Sequence, residues 1–191
     1  MTTTLERAVT TATLFADLGD RRIAYRSLGE GPPLLLCNRF RGTLDTWDPA
    51  FLDALATRFR VITFDLSGIG RSTGEVPTDG VTAAADVAAL ARFLGLDRVV
   101  LAGWSLGGYV AQVAATRHPG LVSHLVLLGT APPGVNPHPM EPVFLATALK
   151  PVNDLDDEVI LFFEPASDAS RAAVRGATSG SRPGPPISTH P

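Results

Sequence analysis

The 191-residue sequence predicts an α/β fold: a mostly parallel sheet of about six strands with helices on both faces. Two observations carry this reading. Short apolar, β-branched runs alternate with longer helical patterns through most of the chain, which is the signature of strand–helix–strand units. The composition, 45% hydrophobic and 18% charged, supplies enough apolar surface for a core and excludes a chain disordered along its whole length.

Taken in order, residues 12–17 (ATLFAD) and 22–28 (RIAYRSL) form two strand-like runs around Gly19-Asp20, a turn signal that makes them an antiparallel hairpin. Leu34 to Cys37 and Val61 to Phe64 are continuous apolar runs of the kind buried on both faces of a parallel sheet, with a helical stretch from Pro49 to Thr57 between them. From Thr82 to Leu94 a helix places Val87, Leu90, Ala91 and Leu94 on one stripe, with Thr82 as its cap and Gly95 suited to its end. Val99 to Ala102 is the next strand. A helix from Leu106 to Arg117 follows, stopped by Pro119, and Leu125 to Leu128 is the sixth strand.

After Gly129 the texture changes. Five prolines between 132 and 142 break any regular element until two short helical stretches near 143–149 and 154–163. Residues 176–191 hold three Gly, four Pro, three Ser and two Thr, a composition that favours disorder. The expected organisation is therefore a core over 1–131, an inserted segment over 132–175 and an unstructured tail over 176–191.

Charge and cysteine usage narrow the function classes. Sixteen Lys and Arg against nineteen Asp and Glu give a net charge of −3, so the basic field that nucleic acids or anionic membranes attract is missing. One cysteine, Cys37, and four scattered histidines are too sparse for structural zinc, and no cofactor motif is present. Cys37 lies in an apolar run and reads as a packed thiol in a reducing compartment. With no signal-like or membrane-length apolar span, the expectation is a cytoplasmic protein that binds neither nucleic acid nor membrane.

The chemistry concentrates in Leu101-Ala102-Gly103-Trp104-Ser105-Leu106-Gly107-Gly108-Tyr109, a G-x-S-x-G sequence that follows a strand and opens a helix. In that context the serine turns the chain sharply, and the residues two before and two after it must lack side chains for strand and helix to approach. Ser105 is thereby held above the C-terminal edge of the sheet as a candidate nucleophile, at the positive end of a helix. The competing reading, a nucleotide-binding turn, lacks both G-x-G-x-x-G and a P-loop lysine.

Four segments in order resemble the α/β-hydrolase family: LLLCNRFRGTLDTWD (34–48), FDLSGIGRS (64–72), the elbow at 104–108 and HLVLLGT (124–130). The resemblance runs from about Ala12 to Phe163. It implies an ester or related acyl bond in a small-molecule substrate as the target, and a partial helical cap at the C-terminus. It also implies oxyanion donors at the amides of Leu106 and Phe40, and a loop-bracing role for Asp65. The loop after the third strand departs from the common pattern, carrying Asn38-Arg39 and Arg41. Arg39 and Arg41 are expected to favour carboxylate-bearing substrates, against the plainer reading of solvated or structural arginines; Trp104 packs and lines the pocket.

In this family the triad acid and histidine follow the serine on loops after the last two strands, and the strand count stops before both. His118 and His124 should lie at the opposite edge of the sheet, His138 sits in the Pro-rich loop and His190 in the tail. The chain therefore resembles a family member shortened by roughly 60 to 100 residues. Two functions remain open: a serine hydrolase impaired by loss of its acid and base, with a perhydrolase-type activity able to use the same serine, or a non-catalytic fragment or binding module that keeps the pocket. The strand at 125–128, deprived of cover, would become an apolar edge open to self-association.

Overall fold

In the computed structural model, which describes residues 8–134, 138 and 140–179, six strands form: β1 (Leu14–Asp17), β2 (Arg22–Leu28), β3 (Pro33–Cys37), β4 (Arg60–Phe64), β5 (Val99–Trp104) and β6 (Val122–Leu128). They make one sheet in the order β1-β2-β4-β3-β5-β6. β2 pairs antiparallel with both β1 and β4, while β4, β3, β5 and β6 pair parallel. Each crossover between parallel neighbours runs through a helix, because parallel strands cannot be joined by a tight turn.

The helices cover both faces. On one side α2 (Gly80–Phe93) and α3 (Leu106–Arg117) bury Val87, Leu90, Ala91, Val110 and Ala111 against Ile23, Leu35, Ile62 and Leu101. On the other, Leu52 and Ala56 of α1 (Pro49–Ala56) join Leu34, Leu36, Val61, Trp47 and Ala102. β3 and β4 are apolar along almost their whole length because both of their faces are covered.

Several boundaries differ from the sequence reading, and the causes are local. The first strand begins at Leu14 rather than at residue 12. α2 starts two residues before Thr82: the cap is Asp79, whose carboxylate accepts from the amides of Val81 and Thr82 at 2.8 Å each. Its other end closes as expected, with Gly95 at φ 64° and Leu96 donating back to the Ala91 carbonyl. β6 begins three residues before Leu125, so His124 lies within the strand rather than opening it.

The chain divides into two compact units between Pro133 and Gly134. The second holds α4 (Pro142–Ala148), α5 (Leu155–Phe162) and α6 (Asp168–Ser179). Asp154 caps α5 through a reciprocal box with Asp157, and Lys150 pairs with Asp157 at 2.6 Å. α6 carries helix through 176–179, four residues into the segment expected to be an unstructured tail; the rest of that tail lies outside the described residues. Among the described residues no helix is long and apolar enough to cross a membrane.

β6 is the sheet's edge, and its apolar side chains are exposed on both faces: Leu125, Val126, Leu127 and Leu128 are each 37–43% accessible. No charged residue or proline interrupts the strand from Val122 to Leu128, so it lacks the usual protection against pairing with another copy. The expected outcome is self-association that grows with concentration in light scattering and is reduced by Val126→Lys. A wild-type chain that stays monomeric at all concentrations contradicts it.

Candidate active site

Ser105 occupies the turn between β5 and α3. Its backbone lies at φ 53° and ψ −118°, a region that residues with side chains rarely enter, and Arg41 (φ 57°) is the other described non-glycine residue at positive φ. Three hydrogen bonds hold the turn. The Ser105 amide donates to the Leu128 carbonyl on β6 at 2.9 Å, and the Ser105 carbonyl accepts from Gly108 (2.9 Å) and Tyr109 (3.2 Å).

The flanking glycines explain how strand and helix come so close. A Cβ on Gly103 would stand 2.5 Å from the Gly108 nitrogen, and one on Gly107 would stand 2.5 Å from the Asn38 carbonyl oxygen. Both obstacles are backbone and cannot rotate away. The start of α3 is thus pressed against the end of β3, and Leu106 and Gly107, its first two residues, have amides with no acceptor inside the helix. The Leu106 side chain is exposed while Ser105 and Trp104 are half-buried.

The facing loop is built around Asn38. Its side-chain amide donates to the Thr43 carbonyl (2.6 Å) and the Thr46 hydroxyl (2.8 Å), and its carbonyl oxygen accepts from the Arg39 amide (2.8 Å). The Gly42 amide donates to the Arg39 carbonyl at 2.9 Å, closing a tight turn over Phe40 and Arg41 with Arg41 at its left-handed position. Arg39 donates from Nη1 to the Phe40 carbonyl at 3.0 Å, and its guanidinium lies 5.5 Å over the Trp104 ring. The Arg41 guanidinium lies 5.5 Å over the ring of Phe40. Phe40, Arg39, Trp104 and Ser105 lie near one another at one end of β3 and β5. Asn38 and Trp47 brace these residues, a structural part the sequence reading did not give Asn38; an Asx residue at the entrance to a turn is the signal that marks it.

Asp65, at the end of β4, sits 2% exposed and accepts from the amides of Leu44 (2.8 Å) and Arg71 (2.9 Å), joining this loop to the next one. Burial pushes its carboxyl up to about 6, against the opposing pull of those two amides. Cys37 is buried in the first core cluster, and burial alone pushes its thiol up to about 12, so it stays protonated and unreactive at neutral pH.

A family model for the alpha/beta hydrolase fold matches residues 32–182. The chain belongs to that family. It is 34% identical over 124 residues to the proline iminopeptidase PfmaB of Pestalotiopsis fici, covering 62% of this chain and 44% of that protein. An alpha/beta hydrolase fold protein from Chitinophaga pinensis superposes with a TM-score of 0.81 at 29% identity, over 92% of this chain and 64% of its own. The enol-lactonase of Burkholderia xenovorans superposes at 0.57 with 29% identity, over 62% and 47%. The chain spans about two fifths of the length of the curated relatives it matches.

Within this hydrolase sheet the described histidines of the first unit, His118 and His124, stand far from the serine, and His190 lies outside the described residues. His118 caps the C-terminal end of α3, and His124 pairs with Val100, five residues before Ser105, which places it roughly 16 Å away along the strand at about 3.3 Å per residue. A cavity of about 450 Å³ lined by Ala85, Ala88, Arg92, Phe93 and His118 also lies at that opposite edge, apart from Ser105. Among the described residues no group of three His, Cys, Asp or Glu side chains is placed to hold a metal ion.

The Asp65 environment has a pH consequence. A carboxyl whose folded value lies above its ordinary 3.8 holds its proton more tightly when folded, so its contribution is greatest below about pH 4 and is lost as pH rises through about 6. Chemical denaturation of wild type and Asp65→Asn at pH 4 and pH 7 should show the wild type losing about 2 kcal/mol more than the variant over that interval. Parallel pH profiles contradict this assignment.

Proposed function

We propose that this chain is a serine hydrolase acting on an ester or related acyl bond, with Ser105 as nucleophile. The observation that carries the reading is the strained turn at Ser105, since a backbone held in a costly conformation at the mouth of a helix has no packing reason to carry a half-buried hydroxyl. Attack of Ser105 Oγ on the acyl carbon forms the new C–O bond and opens the carbonyl to an oxyanion; its collapse breaks the bond to the leaving group, which departs carrying the serine's proton by way of solvent, and water then cleaves the acyl-serine to the free acid and restores the hydroxyl. The Leu106 amide at the start of α3 and the Phe40 amide on the facing loop are the proposed donors to that oxyanion, and the helix end adds positive potential. The PfmaB iminopeptidase and the enol-lactonase act on acyl bonds by their names, which agrees with this class.

Among the described residues of the first unit no histidine is placed to activate the serine. A serine hydroxyl needs a base within hydrogen-bond reach, and His118 and His124 lie at the other edge of the sheet. An oxyanion site and substrate binding alone retain only a small part of triad catalysis, so turnover is expected to fall several orders of magnitude below that of a complete triad. The same observation favours the second reading, a non-catalytic fragment or binding module that keeps the pocket.

Treatment with a fluorophosphonate and with p-nitrophenyl acetate separates the two. The expected result is slow labelling of the wild type that Ser105→Ala abolishes, with ester turnover lost in parallel. Labelling or turnover unchanged in Ser105→Ala overturns the nucleophile, and no labelling of either protein establishes the binding module.

A further inference from the structure

We propose that the cavity at the edge of the sheet opposite Ser105 binds a small apolar carboxylate, its carboxylate on Arg92 and His118 and its apolar body against α2. The cavity has a volume of about 450 Å³, within the roughly 300–1,000 Å³ that small-molecule sites occupy. Three elements wall it: the turn between β1 and β2 through Leu18 and Arg21, the outer face of α2, and His118 at the end of α3. His118 stands roughly 20 Å from Ser105 along α3 at about 1.5 Å per residue, so this cavity is separate from the proposed acyl site.

The sequence of α2 explains the hollow. Ala85, Ala88, Ala89 and Arg92 follow the spacing i, i+3, i+4, i+7 and share one face of the helix. A floor of three methyl groups leaves open the space that Leu18 and Phe93 border without filling. Phe93 is 47% exposed, so an apolar ligand laid on this floor would cover aromatic surface that now faces water.

The charges decide which ligand fits. Arg21 is engaged within the protein: its Nε donates to the buried Asp86 at 3.0 Å and its Nη1 to Asp20 at 2.9 Å. Arg92 is exposed in the last turn of α2 and His118 is half-buried, and neither side chain makes a hydrogen bond or ion pair among the described residues. A second cavity of about 300 Å³ adjoins the first and shares Ala88, Arg92 and His118 with it; the acidic side chain in this lining, Asp97, belongs to the second cavity. A carboxylate is therefore favoured where the two meet, with the rest of the ligand directed away from Asp97 and over the alanine floor. The guanidinium can take it through two parallel N–H bonds, and an imidazole N–H adds another donor. A polar body would lose hydration against Ala89 and Phe93 without gaining partners there.

Calorimetric titration of the wild type with octanoate and cinnamate, against octanamide and cinnamamide, tests the proposal. At least one acid is expected to bind one-to-one and about tenfold or more tighter than its amide, with the margin narrowing as salt is added. Arg92→Gln, at an exposed position, should remove the margin, and Ala89→Phe, which fills the floor, should weaken acid and amide alike by about tenfold. Val126→Lys, on the exposed edge strand, should leave binding unchanged. An arginine that only balanced the negative end of α2 would lower the melting temperature on replacement and leave binding untouched. Failure of both acids to bind, equal affinity for acid and amide, or binding unchanged in Arg92→Gln or Ala89→Phe overturns the proposal. Binding that Val126→Lys abolishes would place the acid on the edge strand and overturns it equally.

Discussion

The molecule depends on a close approach between backbones. The start of α3 rests against the end of β3 and against its own preceding strand at distances that leave no space for a Cβ at Gly103 or Gly107. From that contact come the reversal at Ser105, its positive φ and the presentation of the first helical amides beside the hydroxyl. Replacing either glycine would push on peptide groups rather than on movable side chains, so the cost would fall on the loop bearing Phe40 as well as on the elbow.

The strain at the elbow persists because its surroundings are fixed from several directions. β5 lies between β3 and β6, and the Leu128 carbonyl takes the Ser105 amide at the last rung of the ladder. Opposite it, Asn38 and the buried Asp65 hold the loop that carries Arg39, Phe40 and Arg41. Among the described residues, two with side chains, Arg41 and Ser105, are held at positive φ, one in each of the two segments that meet at the site. Strain gathered in this way is a mark of a functional site rather than of economical packing.

Much of this was legible in the sequence. The strand number, the parallel character of the sheet, the hairpin at Gly19 and the elbow all followed from apolar periodicity and from glycine spacing, because those patterns are dictated by local geometry. The placement of His118 and His124 at the far edge also followed, since alternation of strand and helix fixes which end of the sheet a loop occupies. What stayed hidden depended on contacts between distant residues. Asp79 outcompeted Thr82 as a cap because its carboxylate reaches two amides, and β6 began early because Val122 and His124 find partners on β5. The left-handed Arg41, the Arg39–Trp104–Trp47 stack and the double hook of Asp65 join segments far apart in the chain, and no periodicity encodes them.

Ser105 is held in a backbone conformation its side chain opposes. The most direct measurement is the folding stability of Ser105→Gly beside that of Ser105→Ala. Glycine enters positive φ freely and alanine does not, so the glycine variant is expected to be more stable by about 1 kcal/mol or more, despite the larger entropy its unfolded chain must lose. An alanine variant equal to or more stable than the glycine variant would mean that the turn at Ser105 is relaxed and stores no strain.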